Sequence, residues 1–515
     1  MGRSSFEPRP SSTRSEIAGD AGPTGAVRRL LKGLGLGVAI AAMIGGVLYA
    51  AFGLRIVLDG GGSPRVRFVE SSNEQARRIE EHRRAQRAAA PTPEADPASA
   101  GPTAPRPPLP ASEGEAATSA AAVPVEASSY WTDFRGPSRD GEYREGAVRT
   151  DWPAAGLTPV WKQPIGAGYA SFVVARGRAF TIEQRGPDEV AAAYDVPTGR
   201  ELWTTTWAAE FREAMGGDGP RATPTWADGI VYALGATGEL RALDEVSGAV
   251  RWRTNILADA GAENLAWGMA AAPLVVDETL VVLPGGAGGR SVVAYDRLTG
   301  ERRWSALDDP QAYTAPMLAT LGGVRQLLVL SATRLVGLSP DTGRLLWEYP
   351  FETYNGINAA QPLLLGEDRI FVSASYGTGA AVIALEPAGD RFTVREVWRN
   401  MRMKNRFSSS VLYDGVIYGL DESILAAVDA ATGELLWKGG RYGYGQLVLV
   451  DDSLIVLTED GDLALVRARP DRHEEVTRFP VLEGKTWNPP AIDGGFLLVR
   501  NLAEMAAFDL RPAGR

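Results

Sequence analysis

Ala426-Ala427-Val428-Asp429-Ala430-Ala431-Thr432-Gly433-Glu434-Leu435-Leu436-Trp437 is a unit that this chain writes five times with variations. Val336-Gly337-Leu338-Ser339-Pro340-Asp341-Thr342-Gly343 leads to Trp347, Ala294-Tyr295-Asp296 to Trp304, Ala242-Leu243-Asp244 to Trp252, and Ala193-Tyr194-Asp195 to Trp203. The apolar pair before the acid ends a strand. The Asp side chain can accept N–H groups of the following turn, Thr or Ser adds a second local bond, and Gly supplies φ > 0. The product is a tight hairpin whose second strand carries Trp at a fixed offset, where a large flat ring fills the gap between one radial sheet and its neighbour. Repetition of such a unit sets the architecture before any chemistry is considered.

The Asp-to-Trp pattern resembles the tryptophan-docking repeat of the quinoprotein, or PQQ-like, β-propellers, from about residue 130 to the end. The expected fold is therefore all-β: an eight-bladed β-propeller over 129–515, preceded by one transmembrane helix and a disordered linker. Units centre on Asp195, Asp244, Asp296, Ser339, Glu386 and Asp429, with docking residues Trp203, Trp252, Trp304, Trp347, Trp398 and Trp437. A degenerate unit from Leu465 to Phe479 puts Phe479 in the Trp place. Pro159-Val160-Trp161 has the Trp without a preceding Asp, and Ala507-Phe508-Asp509 has the Asp without a following Trp. Together they complete one blade and close the ring with no free edge. The lead-in Trp131-Thr132-Asp133-Phe134-Arg135-Gly136-Pro137-Ser138-Arg139-Asp140-Gly141 looks like the opening of a bacterial subgroup of these proteins. It is expected to pack across a face or side of the ring, fixed through Arg135 and Asp140.

Composition narrows the chemistry. The 515 residues include 59 glycines and no cysteine, which excludes disulfides, thiolate metal sites and cysteine nucleophiles. A formal charge of -10 argues against nucleic acid as a partner, since phosphate neutralisation needs a basic face. The two histidines, His82 and His473, have no second ligand near them in sequence, so histidine metal sites and His general bases are not expected.

Residues 1–32 are polar and rich in Ser, Gly, Pro and Arg, as a disordered segment is. Residues 33–54 form an uncharged apolar run of roughly 20 residues, enough to span a bilayer as a helix. An uncleaved anchor is expected rather than a signal peptide, because the run is long for one and no clean cleavage site follows. Arg28, Arg29 and Lys32 stand before it and only Arg55 close behind, which places the N-terminus in the cytoplasm and the rest outside a bacterial inner membrane. Residues 55–90 read as a juxtamembrane piece and a solvated stalk helix, and the Ala/Pro-rich 91–128 as a linker.

The connections from the outer strand of one blade to the inner strand of the next emerge on one face, so the sequence names that rim. Its candidate ligand-binding residues are Arg221, Trp267, Asn358, Lys404, Arg406, Tyr442, Tyr444, Lys485 and Trp487. Flat rings with cations suit an anionic or extended ligand. Quinoprotein dehydrogenases use adjacent cysteines, PQQ and calcium held by acidic residues. The cysteines are absent and no acidic trio stands at the rim, so no cofactor is expected. The favoured reading is a membrane-tethered, non-catalytic scaffold for a protein, peptide or glycan, similar in broad design to propeller lipoproteins of outer-membrane β-barrel assembly. The alternative is a PQQ- or other cofactor-dependent dehydrogenase of small alcohols or sugars.

Overall fold

The computed structural model describes residues 53–89 and 130–512. The expected disordered N-terminus, nearly all of the apolar run 33–54 and the linker lie outside them. Among the described residues no helix is long and apolar enough to cross a membrane.

Eight antiparallel sheets in chain order form the blades, each a meander of four strands. Blades I to VII cover 173–208, 225–255, 274–306, 317–350, 363–400, 411–441 and 446–480. Blade VIII takes three strands from 491–509 and its outer strand from the other end of the domain, Trp161–Pro164, with Ala507 opposite Trp161 and Glu504 opposite Pro164. The composite blade expected from the two half-units is therefore present. Strand interiors such as Ile230–Leu234 and Ser453–Leu457 are buried throughout, because each radial sheet is covered on both faces by its neighbours.

The repeat works as a docking joint. Asp244 Oδ1 accepts the Ser247 N–H at 3.0 Å, and Gly248 follows at φ 70°. The Trp203 indole of the preceding blade donates to the Glu245 carbonyl at 3.0 Å. A Cβ at Gly248 would lie 2.5 Å from that indole, so the glycine supplies a seat as well as a turn. Trp161, Trp252, Trp398 and Trp437 donate likewise to Val196, Arg297, Ala430 and Arg469 of the next blade. Blade IV, whose turn begins with Ser339 in place of Asp, breaks the series. The Trp304 indole N–H that faces it has no acceptor, and Trp347 bonds Gln326 of its own blade.

The lead-in runs through the centre of the ring, where the sequence places it across a face or side. Its strand Glu142–Tyr143 pairs in parallel with the innermost strand of blade VII. The Thr132 carbonyl accepts the Trp226 N–H of blade II, and Asp493 of blade VIII accepts the Tyr130 and Trp131 N–H groups. Arg139, 2% exposed, donates to the Ala272, Pro273 and Pro316 carbonyls, to Thr225 and to Asp133. Arg135 donates to the carbonyls of Ser410 and Leu447, and to that of Asp140 rather than to its carboxylate. Burial pulls the Arg135 guanidinium down to about 10 against the attraction of Asp140. Two fixed forks thus staple most of the ring from inside, a task for which their planar donors suit them.

Ahead of the ring, β1 (Leu54–Leu58) and β2 (Pro64–Phe68) form a two-stranded sheet, followed by α1 (Ser72–Ala89). Among the described residues, 57–65 belong to one compact unit with 71–89 and the propeller. Helix α1 opens on a capping box between Ser71 and Glu74. It is not a solvated stalk. Ile79 and Arg83 are buried, Arg83 donating to Gln163 and the Pro164 carbonyl and lying 3.3 Å from Glu201. Gln75 caps the carbonyls of Ile165 and Leu502. A helix that docks through polar side chains onto strand-end carbonyls shows no apolar stripe in its sequence.

Candidate binding mouth

On the face where blades connect to one another, a cavity of about 350 Å³ opens at the ring axis. The turns between the second and third strands of each blade reach the same face. Phe134 of the lead-in lies beneath, and the walls are rings: Tyr169, Trp267, Tyr313, Tyr376, Phe407 and Trp487. Tyr169 stacks on Trp487 with centroids 5.2 Å apart, Phe407 lies 4.6 Å from Trp487 in a tilted contact, and Trp267 meets Tyr313 edge-on. Tyr376 comes from the second-to-third-strand turn of blade V and the other five rings from five different connections, each held by the rigid blade ends on either side.

Two guanidiniums are set among these rings. Arg221 lies 4.5 Å from the Phe211 centroid and donates to the carbonyls of Gly217 and Gly219; burial lowers its pKa. Arg406 stands between Tyr376, Tyr444 and Phe407 at 4.9, 5.2 and 5.6 Å, with Glu422 3.9 Å away. Burial pushes the Tyr313 phenol up to about 12, and those of Tyr169 and Tyr376 upward too, so all three remain neutral donors. The buried Glu459 carboxylate accepts the Trp487 indole N–H at 2.9 Å and the Gly60 N–H at 2.6 Å through one oxygen.

Of the residues named from the sequence, Arg221, Trp267, Arg406 and Trp487 line the cavity. Tyr444 and Lys485 stand beside it, Tyr444 6.1 Å from Phe407 and the Lys485 ammonium 4.2 Å from the Trp487 centroid. Three turn elsewhere. Asn358 is buried and donates to the Ser331 and Phe351 carbonyls. Tyr442 is buried against His473 and donates to Glu475, and Lys404 shares the Asp421 carboxylate with Lys438. Phe134, Tyr376, Phe407 and residues 58–62 were not among the named candidates. Tyr376 could have been found by reading the second-to-third-strand turns, which share the face.

The lining does not fit calcium-bound PQQ. Its one carboxylate, Asp59, is turned to the Gly61 and Ser63 N–H groups and to Arg65. Among the described residues no three His, Cys, Asp or Glu side chains are grouped to hold a metal ion.

A ring of tryptophan-docked blades, with its mouth built on the connecting loops, defines the class: the chain folds as an eight-bladed β-propeller, and its repeats are consistent with the PQQ-like type. A family model described as outer membrane protein assembly factor BamB matches residues 187–439. The outer membrane protein assembly factor BamB of Burkholderia pseudomallei is 24% identical over 372 residues, covering 67% of this chain and 88% of that protein. The crystal structure of BamB from Moraxella catarrhalis superposes with a TM-score of 0.50 at 15% identity, over 70% of this chain and 99% of that one. The quinohemoprotein alcohol dehydrogenase of Comamonas testosteroni gives 0.52 at 13% identity, over 75% and 81%. At such identities the two structural likenesses share a fold and leave function to the site.

Proposed function

We propose that this chain is a non-catalytic binding scaffold, tethered to the bacterial inner membrane through residues 33–54, whose extracytoplasmic propeller holds a protein segment at its mouth. The observation that carries the reading is the mouth itself, a cavity walled by stacked rings and two guanidiniums, without a carboxylate cluster for metal or acid–base work. Rings and arginines are the side chains that concentrate binding energy in protein recognition. The resemblance to proteins named as outer membrane protein assembly factors supports a protein as partner.

The test is complementation. A strain lacking the chain should show a reduced content of outer-membrane proteins, restored by the unaltered chain and not by a folded Trp267→Ala, Arg406→Ala variant. Unchanged outer-membrane content, together with dye reduction by the purified chain given PQQ, calcium and an alcohol, would replace this reading with the dehydrogenase one.

A further inference from the structure

The mouth already holds a piece of the chain's own backbone. Leu58, Asp59, Gly60 and Gly62, from the turn between β1 and β2, complete the lining of the cavity. The Gly60 N–H donates to Glu459, the Leu58 carbonyl accepts from the Lys485 ammonium at 3.5 Å, and Arg65 pairs with Asp460 at 2.9 Å. The Tyr444 ring lies against the turn, and a Cβ at Gly60 would fall 2.3 Å from it. The mouth therefore offers a fixed acceptor for a backbone N–H, a donor for a backbone carbonyl, and a ring that admits only glycine. None of these reads a side chain. The Asp59 carboxylate faces its own turn and leaves Arg221 and Arg406 to their carbonyl, Glu422 and ring neighbours.

We infer that the mouth is a receptor for a glycine-bearing turn of a partner protein, an apolar residue followed by an acid and glycine, and that residues 57–65 are its resident competitor. This rests on the scaffold reading and deepens it. Glu459 is 5% exposed, and its oxygen is shared with the Trp487 indole. A buried carboxylate keeps its charge at lower cost when an N–H is aimed at it, so a departing turn leaves a seat that favours another N–H in its place. The apolar residue of the incoming turn would take the Leu58 position and its acid would reach Arg221 or Arg406, neither of which Asp59 pairs with.

A fluorescent cyclic peptide of residues 54–68, titrated into the full-length chain in detergent, tests this directly. The Gly60→Val chain, whose own turn no longer fits against Tyr444, should bind the peptide at least about ten-fold more tightly than the unaltered chain, the ratio expected when a resident occupant fills about nine-tenths of the seats. Arg65→Ala, which loosens the turn from outside the seat, should shift affinity in the same direction by less. A peptide carrying Gly60→Val should bind neither chain. Equal affinity for the unaltered and Gly60→Val chains, or no binding to any of the three, would overturn the competition. Either result leaves the complementation test standing, since that test asks only whether the mouth is needed.

Discussion

The two faces of the ring are built on opposite plans. On the face of the third-to-fourth-strand turns, Asp195, Asp244, Asp296 and Asp429 each take the N–H of the Thr or Ser three residues on, and the glycine that follows seats the tryptophan of the preceding blade. In these four turns the Asp carboxylate is satisfied locally and in the same way, so residue type is dictated by the fold. On the mouth face the connections differ from one another, and seven of the eight deliver a ring or a cation to the cavity lining. Three carboxyls illustrate the two settings. Arg303 and the turn N–H groups hold the Asp296 carboxyl down to about 2, and Arg251 and Ser247 lower that of Asp244. Glu189, which accepts the Trp207 indole and Ala236 N–H groups behind a mouth-side turn, is pushed up to about 7 by burial. Regularity marks where the chain secures its fold, and irregularity marks where it is committed to something else.

Exchanging one tryptophan from each face puts that contrast to its strongest test. Trp203→Ala empties a joint between blades I and II and removes the indole bond to Glu245, and should cost about 3–5 kcal/mol of stability. Trp267→Ala removes a ring from the cavity wall and should cost under about 1 kcal/mol while abolishing complementation. Urea denaturation of both variants measures the difference. Equal losses would mean that the mouth rings are structural.

A smaller effect separates the faces by pH. Between the ordinary carboxyl value of 4.5 and about 7, folded Glu189 keeps a proton that the unfolded chain releases, so its contribution to stability falls as pH rises through that window and is constant above it. Glu189→Gln should flatten the slope of stability against pH over 5–7 by about 1–2 kcal/mol. The lowered Asp296 works in the opposite sense: its stabilisation is complete above the ordinary value of 3.8 and disappears as pH falls through about 2. Asp296→Asn should therefore change the slope only below about pH 4. Thermal melts across pH 3–8 check both.

What could be read in the sequence follows the same division. The blades were legible because their turns are local and repeated, and the Trp161–Asp509 closure, though distant in sequence, because each end carries one half of that repeat. The rim was half legible: Arg221, Trp267, Arg406 and Trp487 reach the cavity, whereas Asn358, Tyr442 and Lys404 come from the same stretches and turn inward or sideways. Position on a connection does not fix the direction of a side chain. Arg83 of α1 and Gly60 of the turn were illegible for another reason, since their partners, Gln163, Glu201 and Tyr444, are distant in sequence and the contacts carry no periodicity.

The claim that the irregular face is the working one can be tested in living cells. A photo-crosslinking residue at position 354, on the mouth face where Tyr354 is 72% exposed, is compared with one at position 298, in a docking turn where Leu298 is 52% exposed. The account predicts a discrete protein adduct from position 354 that fades when Trp267→Ala is added, and none from position 298. An adduct from position 298 with none from position 354 would contradict it.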